Sequence, residues 1–203
     1  MAADVVLVSR FPLAQGAAEI LRTGLKDEPH LRYLFDFEQQ ELLQLRAYDS
    51  VTAFAADAAQ LAAELQRFAP HMVADVRREL LTYVEAPKPC GSPLPQTDYL
   101  QLRHVEVPPP RIPAYRSWRE ETIFQVVRES APVEVFLAYH SLVSGQPGVM
   151  FISGFSGAPQ EYRAVFESER YREIVRQAGD GYITGGADGL YTRFYARPGL
   201  RGA

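Results

Sequence analysis

Pro87-Lys88-Pro89-Cys90-Gly91-Ser92-Pro93-Leu94-Pro95-Gln96 places four prolines in ten residues, the sharpest break in the 203-residue chain. Proline removes a backbone donor and fixes φ, so the stretch predicts neither a helix nor a central strand. It separates two stretches of similar length, and their patterns repeat each other.

Before the break, Val5-Val6-Leu7-Val8 suits a buried strand, and Gly16–Leu25 has helical spacing at Ala17, Ile20, Leu21 and Leu25. Leu31–Glu38 alternates with period two, and Gln39-Gln40 joins it to a strand over Leu42–Tyr48 as a hairpin. Ser50 is placed to cap an Ala-rich helix over Val51–Phe68, and Glu79–Glu85 reads as a closing strand. After the break, Tyr99–Val107 is a strand and Pro113–Glu129 a helix. Val133–Val143 and Val149–Phe155 flank the turn Ser144–Gly148. A helix broken near Ser168 and a last strand, Leu190–Ala196, follow. Both stretches therefore read β-α-β-β-α-β. Even their ends match: Leu81-Thr82-Tyr83-Val84-Glu85-Ala86-Pro87 against Tyr191-Thr192-Arg193-Phe194-Tyr195-Ala196-Arg197-Pro198.

A βαββαβ unit is a ferredoxin-like sheet with helices on one face, which leaves the other face apolar and bare. Two such units bury those faces by packing sheet to sheet. The expected fold class is α+β, an intramolecular dimeric α/β barrel. Residues 1–88 form the first unit, 89–97 a Pro-rich linker and 98–203 the second unit.

Composition bounds the partners. A net charge of −4 gives no basic face for nucleic acid, and no apolar run reaches the length of a membrane span. The N-terminus lacks the basic region of a signal peptide, so a cytoplasmic protein is expected. The only cysteine, Cys90, allows neither an intrachain disulfide nor a thiolate zinc site, and it reads as an exposed linker thiol. No HExxH, GxSxG, phosphate loop or acidic calcium loop occurs. The glycines at 145–148 and 185–189 read as turns, the latter with a lid before the last strand.

Tyr99-Leu100-Gln101-Leu102-Arg103, the hairpin around Gly145–Gly148 and the F-x-S-x-x-Y segment Phe166–Tyr171, continuing to Val175, carry a resemblance to a known superfamily. The chain resembles the dimeric α/β-barrel superfamily, in particular its antibiotic-biosynthesis-monooxygenase-like and NIPSNAP-like members. The resemblance covers most of residues 97–198, while the first half matches by element order alone. It implies a pocket between the sheets that takes a small hydrophobic or aromatic molecule, and a homodimer is an expected assembly. It leaves three functions open: a cofactor-independent monooxygenase for an aromatic or polyketide-like substrate, a haem-binding or haem-degrading protein, and a non-catalytic barrel.

The candidate residues follow from strand position. His104 and His140 lie in strands, where an inward imidazole could serve as general base. The alternation in Val133–Val143 sets Val133, Val135 and Leu137 against Phe136, Ala138 and His140, and predicts the latter row towards the cavity, with Phe136 as a binding residue. Arg103 and Arg193 are strand arginines able to hold an enolate oxygen. Tyr115 and Trp118 form an aromatic stripe, taken either as core or as substrate contacts. His71, at the end of the first long helix, is similar in placement to the proximal haem histidine of haem-degrading relatives. It lacks their flanking Asn and Trp. His30 reads as an exposed loop residue.

Overall fold

The computed structural model describes residues 1–145, 148–184 and 189–200. The strands are β1 (Val5–Pro12), β2 (Leu31–Asp36), β3 (Glu41–Tyr48), β4 (Arg77–Lys88), β5 (Tyr99–Val105), β6 (Val135–Val143), β7 (Val149–Phe155) and β8 (Leu190–Ala196). Helices α1 (Ala17–Arg22), α2 (Val51–Ala56) and α3 (Ala58–Phe68) belong to the first half. Helices α4 (Ile112–Glu121), α5 (Ile123–Glu129), α6 (Pro159–Glu167) and α7 (Glu169–Gly181) belong to the second.

The strands close into an antiparallel barrel in the order β1-β3-β2-β8-β5-β7-β6-β4. Each half contributes a ferredoxin-like run, β4-β1-β3-β2 and β6-β7-β5-β8, and the edge strands of one pair with those of the other. Closure thus satisfies the edge backbone groups as well as the bare sheet faces. The two seams differ. β4 and β6 pair from Leu80↔Val143 to Lys88↔Phe136, with register shifts, whereas β2 and β8 meet only at Phe35↔Ala196 and Asp36↔Tyr195 among the described residues.

One core lines the lumen. Val6, Val8, Leu34, Leu43, Leu45, Leu81, Leu100, Leu102, Val135, Leu137, Tyr139, Met150, Ile152 and Tyr195 pack there with no helical residue among them. An eight-stranded barrel is just wide enough for side chains to fill its interior. The other cores lie outside the wall. In the second half Phe136, Ala138, Phe151 and Phe155 pack against Tyr115, Phe124, Tyr162 and Tyr171 of the helices. In the first, Phe11, Tyr33, Phe35 and Leu42 pack against Ala17, Leu21 and Phe68.

Several boundaries differ from the expected ones for local reasons. The helix over Val51–Phe68 is two, broken at Asp57, and that over Pro113–Glu129 breaks at Thr122, whose φ of −124° and ψ of −82° are not helical. At Ser168 the expected break is present, and its Oγ accepts from Tyr171 N, which starts α7. β4 runs on through Pro87, where the missing donor is tolerated because pairing with β6 already slips between Glu85 and Lys88.

Nor is the Pro-rich stretch a bare connector. Leu94 is 0% exposed and belongs to the lumen core, Ala3 N donates to Pro93 O, and Arg32 donates to Pro95 O and Thr97 O. It plugs one end of the barrel. Cys90 is accordingly half-buried against the lumen core, not exposed; its Sγ donates to Ser92 O, and burial pushes the thiol pKa up. The lid expected at 185–189 lies, apart from Gly189, outside the described residues, as do Gln146 and Pro147 of the hairpin turn.

Candidate functional site

The inward rows change character along the strands. β1 turns Val6, Val8 and Arg10 inward, β5 Leu100, Leu102 and His104, and β3 Leu45, Leu43 and Glu41. Each row runs from apolar at the plugged end to polar at the other. A buried polar cluster results at the unplugged end.

At its centre is Glu79 of β4, 1% exposed. Arg10 Nη2 donates to its Oε1 at 2.9 Å, and His104, reaching across the lumen from β5, lies with Nε2 3.0 and 3.1 Å from its two oxygens. A carboxylate only accepts, so Nε2 carries the imidazole proton and Nδ1 the lone pair. Nδ1 is buried with no hydrogen-bond partner. Burial pushes the His104 pKa down, against the opposing pull of Glu79, and Arg10 and Arg193 push it further the same way. Burial thus favours the neutral imidazole.

Tyr191 of β8, paired in register with His104, stacks on the imidazole at 4.3 Å between centroids and 13° between planes, and its hydroxyl accepts from Arg10. Nearer the rim, Arg193 Nη1 donates to Glu41 Oε2 at 2.9 Å and the Tyr195 hydroxyl to Oε1 at 2.6 Å. These bonds bridge β8 to β3 where β2 has ended. Outside them a groove of about 320 Å³ follows the short β2–β8 seam, lined by Phe37, Glu41, Arg163, Arg193 and Phe194 among others. Arg193, which lines the groove, lies with its guanidinium 5.8 Å from the centroid of the Tyr191 ring that stacks on His104.

Of the expected site residues, His104 and Arg193 come together here. The others do not. His140 shares the helix-facing side of β6 with Phe136 and Ala138, while Val135, Leu137 and Tyr139 face the lumen. That is the reverse of the predicted orientation. The aromatic row packs against the wide helix layer, and the narrow lumen takes the smaller aliphatic row. His140 sits near Arg119, Arg116 and Glu85, and burial, then those arginines, lower its pKa. Arg103 also points outward, donating to the Tyr171 hydroxyl. Tyr115 and Trp118 stack with each other and pack at a tilt against Tyr182 in the outer core, and Phe136 packs on Phe124 and Phe151 there; none lines the lumen.

His71 ends a short 3-10 turn beyond α3, its carbonyl accepting from Ala14 N. Haem, implied by part of the resemblance, does not fit these residues. His71 lies in the turn between α3 and β4, His140 faces the helix layer, the barrel centre is filled, and His104 Nε2 is already held by Glu79. Among the described residues no group of three or more His, Cys, Asp or Glu side chains is placed to hold a metal ion, and no helix is long and apolar enough to cross a membrane. Sequence reasoning missed Arg10, Glu79, Glu41 and Tyr191. The available signal was opposite charges embedded in otherwise apolar strand rows.

The architecture can be set beside solved structures. A protein from Fusobacterium nucleatum described as a candidate monooxygenase superposes with a TM-score of 0.67 at 11% identity, over 100% of this chain and 96% of that one. The chain has the dimeric α/β-barrel fold. An anthrone oxidase-like protein gives 0.63 at 11% identity, covering 98% and 96% of the two chains. A ferredoxin-fold protein from Listeria monocytogenes related to antibiotic biosynthesis monooxygenases gives 0.56 at 9%, covering 97% and 96%. No family model matches the sequence, and neither does any curated protein. At such identities the likeness is one of fold.

Proposed function

We propose that this dimeric α/β barrel is a cofactor-independent monooxygenase acting on a small aromatic or polyketide-like molecule at the polar end of the barrel. The observation that carries the reading is His104, a buried neutral imidazole oriented by Glu79 through Nε2 and left with an unpartnered Nδ1. That is the arrangement of a general base, whose contribution is typically 10²–10⁴-fold. The monooxygenase-like and anthrone oxidase-like neighbours support it.

The substrate enters by the seam groove and takes the aromatic place against the imidazole that Tyr191 now fills. His104 Nδ1 removes a proton from an acidic C–H, and Glu79 stabilises the imidazolium that forms. The Arg193 guanidinium holds the enolate oxygen. The enolate passes electrons to O₂. Overall a CH₂ group and O₂ become a carbonyl and water, one oxygen atom going to each.

Oxygen uptake with anthrone tests the proposal. The protein should consume one O₂ per anthraquinone formed, His104→Gln should be at least tenfold slower, and Arg193→Gln should raise KM. Uptake no faster than the uncatalysed reaction, or unchanged in His104→Gln, overturns it.

A further inference from the structure

A second groove, of about 280 Å³, lies on the outer face of β5 and β8 beside α6, lined by Gln101, Arg103, Arg163, Phe166, Thr192 and Phe194, with Glu167 also at its edge. It shares Arg163, Thr192 and Phe194 with the seam groove but is separated from His104 by the barrel wall.

Arg103 is 9% exposed, yet no carboxylate lies within ion-pair distance of it among the described residues. Its guanidinium rests on the rings of Phe166 and Tyr171, 5.0 and 5.2 Å from their centroids, Nη1 is satisfied by Tyr171, and Nε is buried without an acceptor. Arg163 is likewise without a carboxylate partner, held 5.5 Å from the Phe37 centroid and 5.0 Å from that of Phe194. The barrel's other buried guanidiniums have counter-ions: Arg10 with Glu79, Arg32 with Asp27, Arg46 with Glu64 and Arg119 with Glu85. A buried cation without one is costly, and ring faces offset only part of that cost. The buried Arg103 and the half-buried Arg163, neither with a carboxylate partner among the described residues, mark a place for an anion on this groove, and arginine forks suit the planar geometry of a carboxylate. Phe166 and Phe194 supply aromatic walls. The volume is just below the usual range of ligand pockets, about 300–1,000 Å³, which suits a single ring.

We propose that this groove binds a small aromatic carboxylate, Arg103 and Arg163 holding the carboxylate and Phe166 and Phe194 the ring. The site stands independently of the oxygenase reading.

Calorimetric titration of the full chain with benzoate, in a low-salt buffer without phosphate, tests it. Benzoate should bind saturably with one site per chain, and benzyl alcohol, which lacks the charge, at least tenfold more weakly. Arg163 is half-buried on α6, outside the barrel wall and without an ion-pair partner, so Arg163→Gln should keep the circular dichroism spectrum of the parent while weakening benzoate at least tenfold, with partial recovery in Arg163→Lys. His104→Gln should bind benzoate as the parent does, whatever its turnover. Absence of saturable binding, equal affinity for benzyl alcohol, unchanged affinity in Arg163→Gln, equal losses in His104→Gln, or binding of inorganic phosphate in preference to benzoate would each overturn the assignment.

Discussion

Glu79 is the residue on which the polar end of the barrel turns: one buried carboxylate accepts from Arg10 and from His104. Removing one member of a buried ion pair leaves a charge uncompensated and typically costs about 3–5 kcal/mol. Arg10→Met should therefore lower unfolding free energy by about that much in urea titrations, while Arg176→Met, whose ion pairs with Glu173 and Asp180 are exposed, should change it little. Protonation gives a separate handle. Folding lowers the His104 pKa, so as pH falls the unfolded chain takes up the proton first. Stability from this group is complete above the ordinary histidine value of about 6.5 and declines below it. Urea midpoints should fall between pH 7.5 and pH 5.5. His104→Gln should flatten that fall in part, the remainder coming from His140, whose pKa is also lowered. A slope unchanged by the substitution would show that His104 does not carry it.

Among the elements, the linker and the short seam matter most. The linker closes one end of the barrel through Leu94, and truncating a fully buried leucine costs about 2–5 kcal/mol. Leu94→Ala should lose stability in that range by thermal or urea unfolding; a loss typical of a surface loop would contradict its role as a plug. The prolines made the break legible but not the plug, because Leu94 stands alone among turn residues and has no period to read. β7 and β8 were legible to the residue because β-branched and aromatic runs end there at turn chemistry. β1 was read only to Val8, since Ser9 and Arg10 interrupt the apolar run, and that is what hid Arg10. The faces of β6 were legible as two rows, but alternation does not say which row is inside. That depends on the width of the lumen, a property of eight strands together.

For the whole molecule, the element order repeated on either side of the prolines was enough to imply two sheets that need each other. Closure by edge pairing, with unequal seams, depends on long-range register and was not visible in it. Each half exposes a lumen row such as Val6, Val8 and Leu43, or Leu100, Leu102 and Ile152, once its partner is removed. Residues 1–88 and 98–203 expressed separately should therefore associate or precipitate, and size-exclusion chromatography should show no folded monomer of either. A monomeric half with cooperative unfolding would mean that the barrel is not the folding unit. The intact closure is also what brings β1, β3, β4, β5 and β8 to one polar end and sets the His104 imidazole against Glu79. Nitrogen-15 NMR of the histidine rings tests that most directly. At pH 7 His104 should be neutral with its proton on Nε2 and Nδ1 unprotonated, and its Nδ1 signal should move when a substrate-like aromatic such as anthrone is added without oxygen. A doubly protonated ring at pH 7, or a signal indifferent to the aromatic, would contradict the account.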